Sequence, residues 1–349
     1  MDAAKTTRIP RNKALYQKVT KYLLDLNSLN PYTGCMITVL AGGVGAARFL
    51  QGLVQVVAPQ EITVIVNTGD DIELHGLHIS PDIDIVIYTL AGIVDESKGW
   101  GIQGDSFHCL DMLGKYGHAT WFMLGDRDFA THIYRTHLLR QGWSLSQITD
   151  SIRRAFNLEV RILPMTNQPV PTLILTDQGI LHFQEYLVQR KMQDPVKGVQ
   201  FKGIEDADPA PGVLEAILQA KGIILCPSNP IISIGPILAV KGVREALRKT
   251  QARIAAISPL VGGAPLKGPA DKLMQGLGLE VSAYQVAQLY QDFLDIFVLD
   301  QIDQNLVTKV RSLRTPPEHP LRVVVTDTIM RGLKEKIELA RRVMEELLR

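Results

Sequence analysis

The stretch MITVLAGGVGAARFLQGL, residues 36–53, runs from an apolar, β-branched segment through three glycines into a helical pattern. Residues 36–40 have the composition of a buried strand, and Ala46, Phe49, Leu50, Leu53 and Val54 recur at helical spacing over 46–57. The glycines Gly42, Gly43 and Gly45 therefore fall on a strand-to-helix turn. In parallel α/β folds such a turn aims backbone N–H groups and the positive end of the helix dipole at whatever lies above the sheet, and an anion, usually phosphate, is its natural occupant. Arg48 stands where a dinucleotide fingerprint wants its third glycine, and no Lys-Ser/Thr pair completes a P-loop. Taken alone, the motif is weak, and the alternative reading is that the glycines serve only a tight turn and close helix packing.

The same alternation continues along the chain. Strand-like runs recur at 62–66, 120–124, 160–163, 222–226, 253–257, 295–299 and 322–326, mostly separated by helical patterns. That order predicts an α/β fold with a doubly wound, mostly parallel, Rossmann-like sheet. Residues 170–205 break the rhythm: PTLILTDQGILHFQEYLVQR reads as two strands about the turn Thr176–Gly179, with KGVQFKGI as a third, hence an antiparallel β insertion. A Pro-rich linker at 205–212 leads back to a helix starting near Pro211. Residues 1–35 carry six basic residues against Asp2 and Asp25 and a helical apolar face at Leu15, Val19, Tyr22, Leu23 and Leu26. They read as an N-terminal, partly helical arm docking on the body or on a second subunit, with the catalytic α/β domain spanning 36–349.

With 349 residues, 46% of them hydrophobic, the chain can bury a large core as one large or two smaller domains. A net charge of +1 shows no basic nucleic-acid face, and no apolar run approaches the ~18 residues of a membrane span. Cys35, Cys109 and Cys226 lie far apart without zinc or redox spacing, which fits packing roles in a reducing cytoplasm.

Polar residues collect where strands end. VNTGDD places Asn67, Asp70 and Asp71 at the carboxyl edge beside the glycine turn, where α/β sheets bind ligands. A carboxylate about 4 Å from a phosphate oxygen is repelled by ~4 kcal/mol at an effective dielectric near 20. Mg²⁺, held by one or two carboxylates plus substrate phosphates, offsets that; simple turn chemistry is the alternative reading. In SPDIDIVIY, Ser80 suits an N-cap, Pro81 the first helical position and Asp82 the first turn. Asp84 has no such excuse. It forms with Tyr88 a polar stripe on an otherwise apolar helix, and a carboxylate so placed wants a ligand hydroxyl, a metal or a salt bridge.

LGDRDFATHIYRTH again follows an apolar run. Gly125 gives the turn, Asp126 or Asp128 can cap the helix, and Arg127, His132 and Arg135 can face an anion, with Arg127 favoured as a phosphate clamp. His75 and His78 read as loop histidines. Ser228 and Asn229 in CPSNPIISIGPIL offer polar groups for a base, ribose or phosphate, and SPLVGGAPLKGPADKLM supplies a glycine-rich loop with Lys267. Five such turns converge on one anionic ligand site.

Together these segments, from about Met36 to the C-terminal helix, resemble the 2-phospho-L-lactate transferases of coenzyme F-420 biosynthesis. The resemblance implies a Mg²⁺-dependent enzyme. It would move a phospholactyl group, or in some bacterial members an enolpyruvyl one, from a guanosine diphosphate adduct to the terminal ribityl hydroxyl of the deazaflavin Fo, releasing GMP. It implies that Asp84 contacts Fo and that Asp70, Asp71 and Asp84 are the metal candidates; Arg127 or Lys267 would share the phosphate charge. The family position before LGDRD is associated with Fo binding and is often basic; here it is Met123. Two competing readings are a nucleotide-sugar-binding regulator of the gluconeogenesis-factor type, whose PPGDIRN-like segment is replaced here by SPDIDIVIY, and an NAD-dependent dehydrogenase, which lacks its third glycine. A homodimer is the expected assembly.

Overall fold

A computed structural model of the protein describes residue 32 and residues 34–313 and 321–349; the expected N-terminal arm lies outside the described residues, apart from its last few positions. Seven parallel strands form the central sheet: β1 (Ile37–Ala41), β2 (Ile62–Val66), β5 (Arg161–Pro164), β9 (Gly222–Leu225), β10 (Arg253–Ile257), β13 (Ile296–Asp300) and β14 (Arg322–Thr326). Their spatial order is β14-β13-β10-β9-β1-β2-β5. β1, β2, β9 and β13 are buried along their whole length, which is why they read as unbroken β-branched and apolar runs.

The chain winds outward from β1 through β2 to β5, then returns to the other side of β1 with β9 and winds outward again to β14. β1 thus pairs in register with β2 (Ile37 with Ile62) and with β9 (Ile37 with Gly222), and the direction of winding reverses between β1 and β9. Ligands of open α/β sheets bind in the crevice above such a switch. One face of the sheet is covered by the helices Gly43–Leu53, Pro81–Leu90 and Leu333–Leu347, with Phe49, Ile83, Val86 and Val343 in its core. The other is covered by helices between 213 and 290, with Ile217, Ile237, Leu273 and Val286.

Residues 170–205 form the expected antiparallel insertion, β6 (Thr172–Thr176), β7 (Gly179–His182) and β8 (Val196–Phe201), in the order β7-β6-β8. A short hairpin, β3 (Ile72–Leu74) and β4 (Leu77–Ile79), rises from the end of β2. The remaining pair, β11 (Leu260–Val261) and β12 (Ala264–Pro265), lies in the glycine-rich loop after β10.

Three expectations need correction. Residues 120–124 are not a strand; Leu124 and Phe122 instead pack with Ile79, Leu110 and Phe129 in a satellite cluster under the hairpin. The helix expected near Pro211 begins at Val213, after Gly212 turns the chain at φ +91°. Asp126 and Asp128 do not cap their own helix, Asp126–Arg140. Its first N–H groups are taken by Asp105, which accepts from Arg127 N (3.0 Å) and Asp128 N (3.2 Å). Asp126 in turn accepts from Cys109 N (2.9 Å) and the Ser106 hydroxyl (2.6 Å), at the head of the helix His108–Lys115.

No helix among the described residues is long and apolar enough to cross a membrane.

Candidate active site

The glycine turn occupies the switch-point crevice, where the loops after β1 and β9 press together. A Cβ on Gly45 would stand 2.2 Å from the Pro227 carbonyl oxygen, and one on Gly42 would stand 2.6 Å from Ser233 Cβ. The Ser228 hydroxyl locks the two loops by donating to the Gly42 carbonyl (2.8 Å). Gly43 adopts φ +69°, where an L side chain is strained. The helix Gly43–Leu53 carries no side-chain cap from Gly42. Its dipole end is met instead by the Asp82 carboxylate, which accepts the Gly43 N–H.

Asp82 belongs to a buried cluster organised by Asn67. The Asn67 amide donates to Asp82 Oδ2 (2.9 Å), Asp70 Oδ1 (3.0 Å) and the Ile232 carbonyl (3.2 Å), while its own oxygen accepts from Gly69 N (2.8 Å). Burial raises the Asp70 carboxyl well above the usual range, and Asp82 raises it further. Burial likewise raises Asp82, to about 7, with Asp71 adding to the effect against the bonds from Asn67 and Gly43. Asp71 Oδ2 accepts from the Ser80 hydroxyl (2.8 Å) and lies 3.0 Å from His78 Nε2. Its other oxygen is buried without a hydrogen-bond partner among the described residues.

This is the environment a divalent cation suits: adjacent desolvated carboxylates and one orphaned oxygen. Among the described residues no group of three or more His, Cys, Asp or Glu is arranged to hold a metal. Mg²⁺ does not require one, because substrate phosphates and water complete its shell. Asp70, with Asp71 or Asp82, fits that role.

Asp84 faces different company. Arg135, fully buried on the helix Asp126–Arg140, donates to both its oxygens, from Nη1 to Oδ2 at 3.1 Å and from Nη2 to Oδ1. His132 Nδ1 lies 3.2 Å from Arg135 Nη1, and His132 Nε2 lies 3.3 Å from Asp128 Oδ1. The Tyr88 hydroxyl closes the network at 2.8 Å from both Asp128 Oδ1 and Thr131 Oγ1. The polar stripe of Asp84 and Tyr88 thus ties together two helices of the crevice wall.

The other candidates are placed as follows. Arg127 is exposed, and among the described residues its guanidinium reaches the Gln103 carbonyl alone, at 3.4 Å. Met123 is 42% exposed. Asn229 is turned to its own loop, accepting from Ile231 N (3.0 Å). Lys267 Nζ donates to the Lys98 carbonyl (3.3 Å), and Gly99 lies between it and Val44 of the glycine turn. His75 packs on His118, with ring centroids 5.5 Å apart.

Three contributors escaped the sequence reading. Asp82 was explained there as a first-turn residue. His182 and Gln184 come from the insertion: His182 Nε2 bonds the Asp71 carbonyl (3.0 Å), and Gln184 donates to Asp70 Oδ2 (3.2 Å). Only the three-dimensional return of β7 to the sheet edge brings them in; no local motif marks them.

The fold is a doubly wound α/β sheet with a carboxylate-lined glycine turn at its switch point, the place where such sheets bind ligands. Residues 37–339 match the family 2-phospho-L-lactate transferase CofD, and the chain belongs to that family; it is a transferase. It is 44% identical to a phosphoenolpyruvate transferase of Streptomyces coelicolor, over 88% of this chain and 99% of that protein. It is 43% identical to a 2-phospho-L-lactate transferase of Methanothermobacter thermautotrophicus, over 90% of this chain and 98% of that protein. The fold is also that of a UPF0052 family protein from Bacillus halodurans, with a TM-score of 0.58 at 17% identity, covering 88% of this chain and 98% of the other.

Proposed function

We propose that this transferase moves a 2-phospholactyl or phosphoenolpyruvyl group from its guanosine diphosphate adduct to the terminal ribityl hydroxyl of Fo, with Mg²⁺, and releases GMP. The observation that carries the reading is the buried pair Asp70 and Asp82, with half-buried Asp71 beside them, packed against an anion-favouring glycine turn. Carboxylates so placed oppose a diphosphate unless a cation joins them.

In this mechanism the Fo hydroxyl oxygen attacks the distal phosphorus in line. A new O–P bond forms, the P–O bond to GMP breaks with its electron pair, and the hydroxyl proton passes to a carboxylate of the cluster or to water. Mg²⁺, held by Asp70 with Asp71 or Asp82, would supply charge neutralisation of the phosphate oxygens. Asn67 and Gln184 keep the Asp70 carboxylate aimed into the crevice, and the Gly42–Gly45 backbone seats the diphosphate. Asp84 would enter the metal shell only by giving up Arg135; we assign it the task of fixing the helix Pro81–Leu90 so that Asp82 meets the turn. Arg127 and Lys267 supply positive charge at the rim. A cytoplasmic homodimer completes the reading.

The test is to incubate the protein with Fo, Mg²⁺ and each guanosine diphosphate adduct, following Fo by mass. A gain of one phospho-acid unit with stoichiometric GMP is expected and names the donor. Unchanged Fo with both adducts would overturn the proposal.

A further inference from the structure

Beside the glycine turn lies a group of cations that the carboxylate cluster does not use. Arg48 projects from the helix Gly43–Leu53 one turn after Val44 and is exposed. Lys267 Nζ reaches the same region from the loop after β10, touching the segment at Gly99: a Cβ there would stand 2.8 Å from Nζ and 3.7 Å from Val44 Cγ1. Lys336 joins from the C-terminal helix, donating to Gln51, one turn beyond Arg48. The carboxylates nearby are already committed. Asp95 pairs with Lys98 at 3.1 Å, and Glu96 lies 3.3 Å from Gln51 and 3.9 Å from Lys336.

Among the described residues, neither Arg48 nor Lys267 has a carboxylate within ion-pair distance. Burial lowers the Lys267 ammonium pKa and the Arg48 charge lowers it further; Lys336 is lowered by burial, with Glu96 opposing the shift and Arg48 adding to it. Lys336 has Glu96 as its counter-ion, whereas Arg48 and Lys267, both at the exposed rim of the turn, repel each other and leave a place for an anion to bridge them.

The turn is therefore polarised. Gly42 and Gly43 meet Asp82, whereas Val44 and Arg48 meet the cations. A diphosphate laid across it would put one phosphate among the carboxylates and the other against Arg48 and Lys267. The phosphate that leaves gains negative charge as its P–O bond breaks, and fixed cations stabilise that charge directly. We infer that Arg48 and Lys267 form the subsite for the phosphate of the departing nucleotide, an inference that rests on the proposed transfer from a guanosine diphosphate adduct.

The test is GMP binding by calorimetry to the wild-type chain and to Arg48→Gln, Lys267→Gln and Arg48→Lys, with Fo binding followed by fluorescence. Each neutral variant should bind GMP about tenfold more weakly or worse, since each loses a charge-assisted hydrogen bond. Arg48→Lys should recover part of the loss, and Fo affinity should stay at the wild-type value. GMP affinity unchanged in both glutamine variants, or lost in step with Fo affinity, overturns the subsite. A wild-type chain that transfers the phospho-acid yet binds no GMP overturns it too. One that neither binds GMP nor transfers from either adduct removes the underlying function as well.

Discussion

Arg135 clasps Asp84 with both terminal nitrogens in the interior between two helices, with neither side chain more than 6% exposed. A pair so buried is weak evidence for net stability, but breaking it leaves one charge stranded, at a cost of about 3–5 kcal/mol. Asp84→Ala and Arg135→Met should each lose stability on that order in urea unfolding. The double variant Asp84→Leu/Arg135→Met should recover much of it. Single variants with wild-type midpoints would show that the pair does not form in solution.

Asp82 is placed differently and should behave differently. Its ionised form is opposed by burial and by Asp71, and Asp70 is opposed in turn by Asp82, so the cluster holds unfavourable charge in the absence of a cation. Asp82→Asn keeps the shape and removes one charge. Its melting temperature without Mg²⁺ should equal or exceed the wild type, while turnover falls by roughly two orders of magnitude or more, as when a group that stabilises transition-state charge is lost. A stable Asp82→Asn variant with near-normal turnover would exclude Asp82 from the reaction.

The contrast between Asp82 and Asp84 shows where sequence reasoning reached and where it stopped. The sheet was legible because parallel strands buried on both faces leave continuous apolar runs, as in Ile62–Val66 and Ile296–Asp300. The glycine turn was legible because close approach to Pro227 and Ser233 excludes a side chain. Which aspartate meets the turn was not, because the helix Pro81–Leu90 is buried on nearly all sides and its one polar stripe, Asp84 and Tyr88, meets Arg135 and Asp128 rather than the turn. Residues 120–124 misled for a related reason: a short apolar run packs equally well under a hairpin as in a sheet. His182 and Gln184 act across more than a hundred residues, a distance no local pattern spans.

Gln184 therefore tests whether the insertion serves the site. Its amide donates to Asp70 Oδ2 and it is itself buried, which makes it an outer partner of a candidate metal ligand. Gln184→Leu, close in volume, should raise the Mg²⁺ concentration for half-maximal activity by about 10- to 100-fold. An unchanged Mg²⁺ requirement would leave the insertion a purely structural role.

Gly45 tests the switch-point crevice itself. The Pro227 carbonyl occupies the place of its Cβ, and neither backbone can yield without moving β1 or β9. Gly45→Ala should destabilise the protein by about 1–3 kcal/mol or more, in the range of overpacked interiors. The exposed Gly142→Ala, at φ +87° with open space around its Cβ position, separates backbone strain from this steric effect and should cost less. Equal losses in thermal melts would assign both to strain.

The pH dependence of stability carries the last prediction, at His75 in the turn of the β3–β4 hairpin. Partial burial lowers the pKa of this imidazole from 6.5, and neighbouring His118 lowers it further. Between the folded and unfolded values the unfolded chain binds more protons, so stability rises with pH there. The His75 contribution is complete above the unfolded value of 6.5 and is lost as pH falls through the lower folded value. Asn accepts the left-handed backbone of this position, φ +54°, and does not titrate. His75→Asn should therefore lose less stability than the wild type as pH drops from about 7.5 to 5, with the two curves parallel above that window. Urea midpoints of both proteins across the range check the sign. A wild-type curve that falls no faster than the variant's would place His75 in an unperturbed environment.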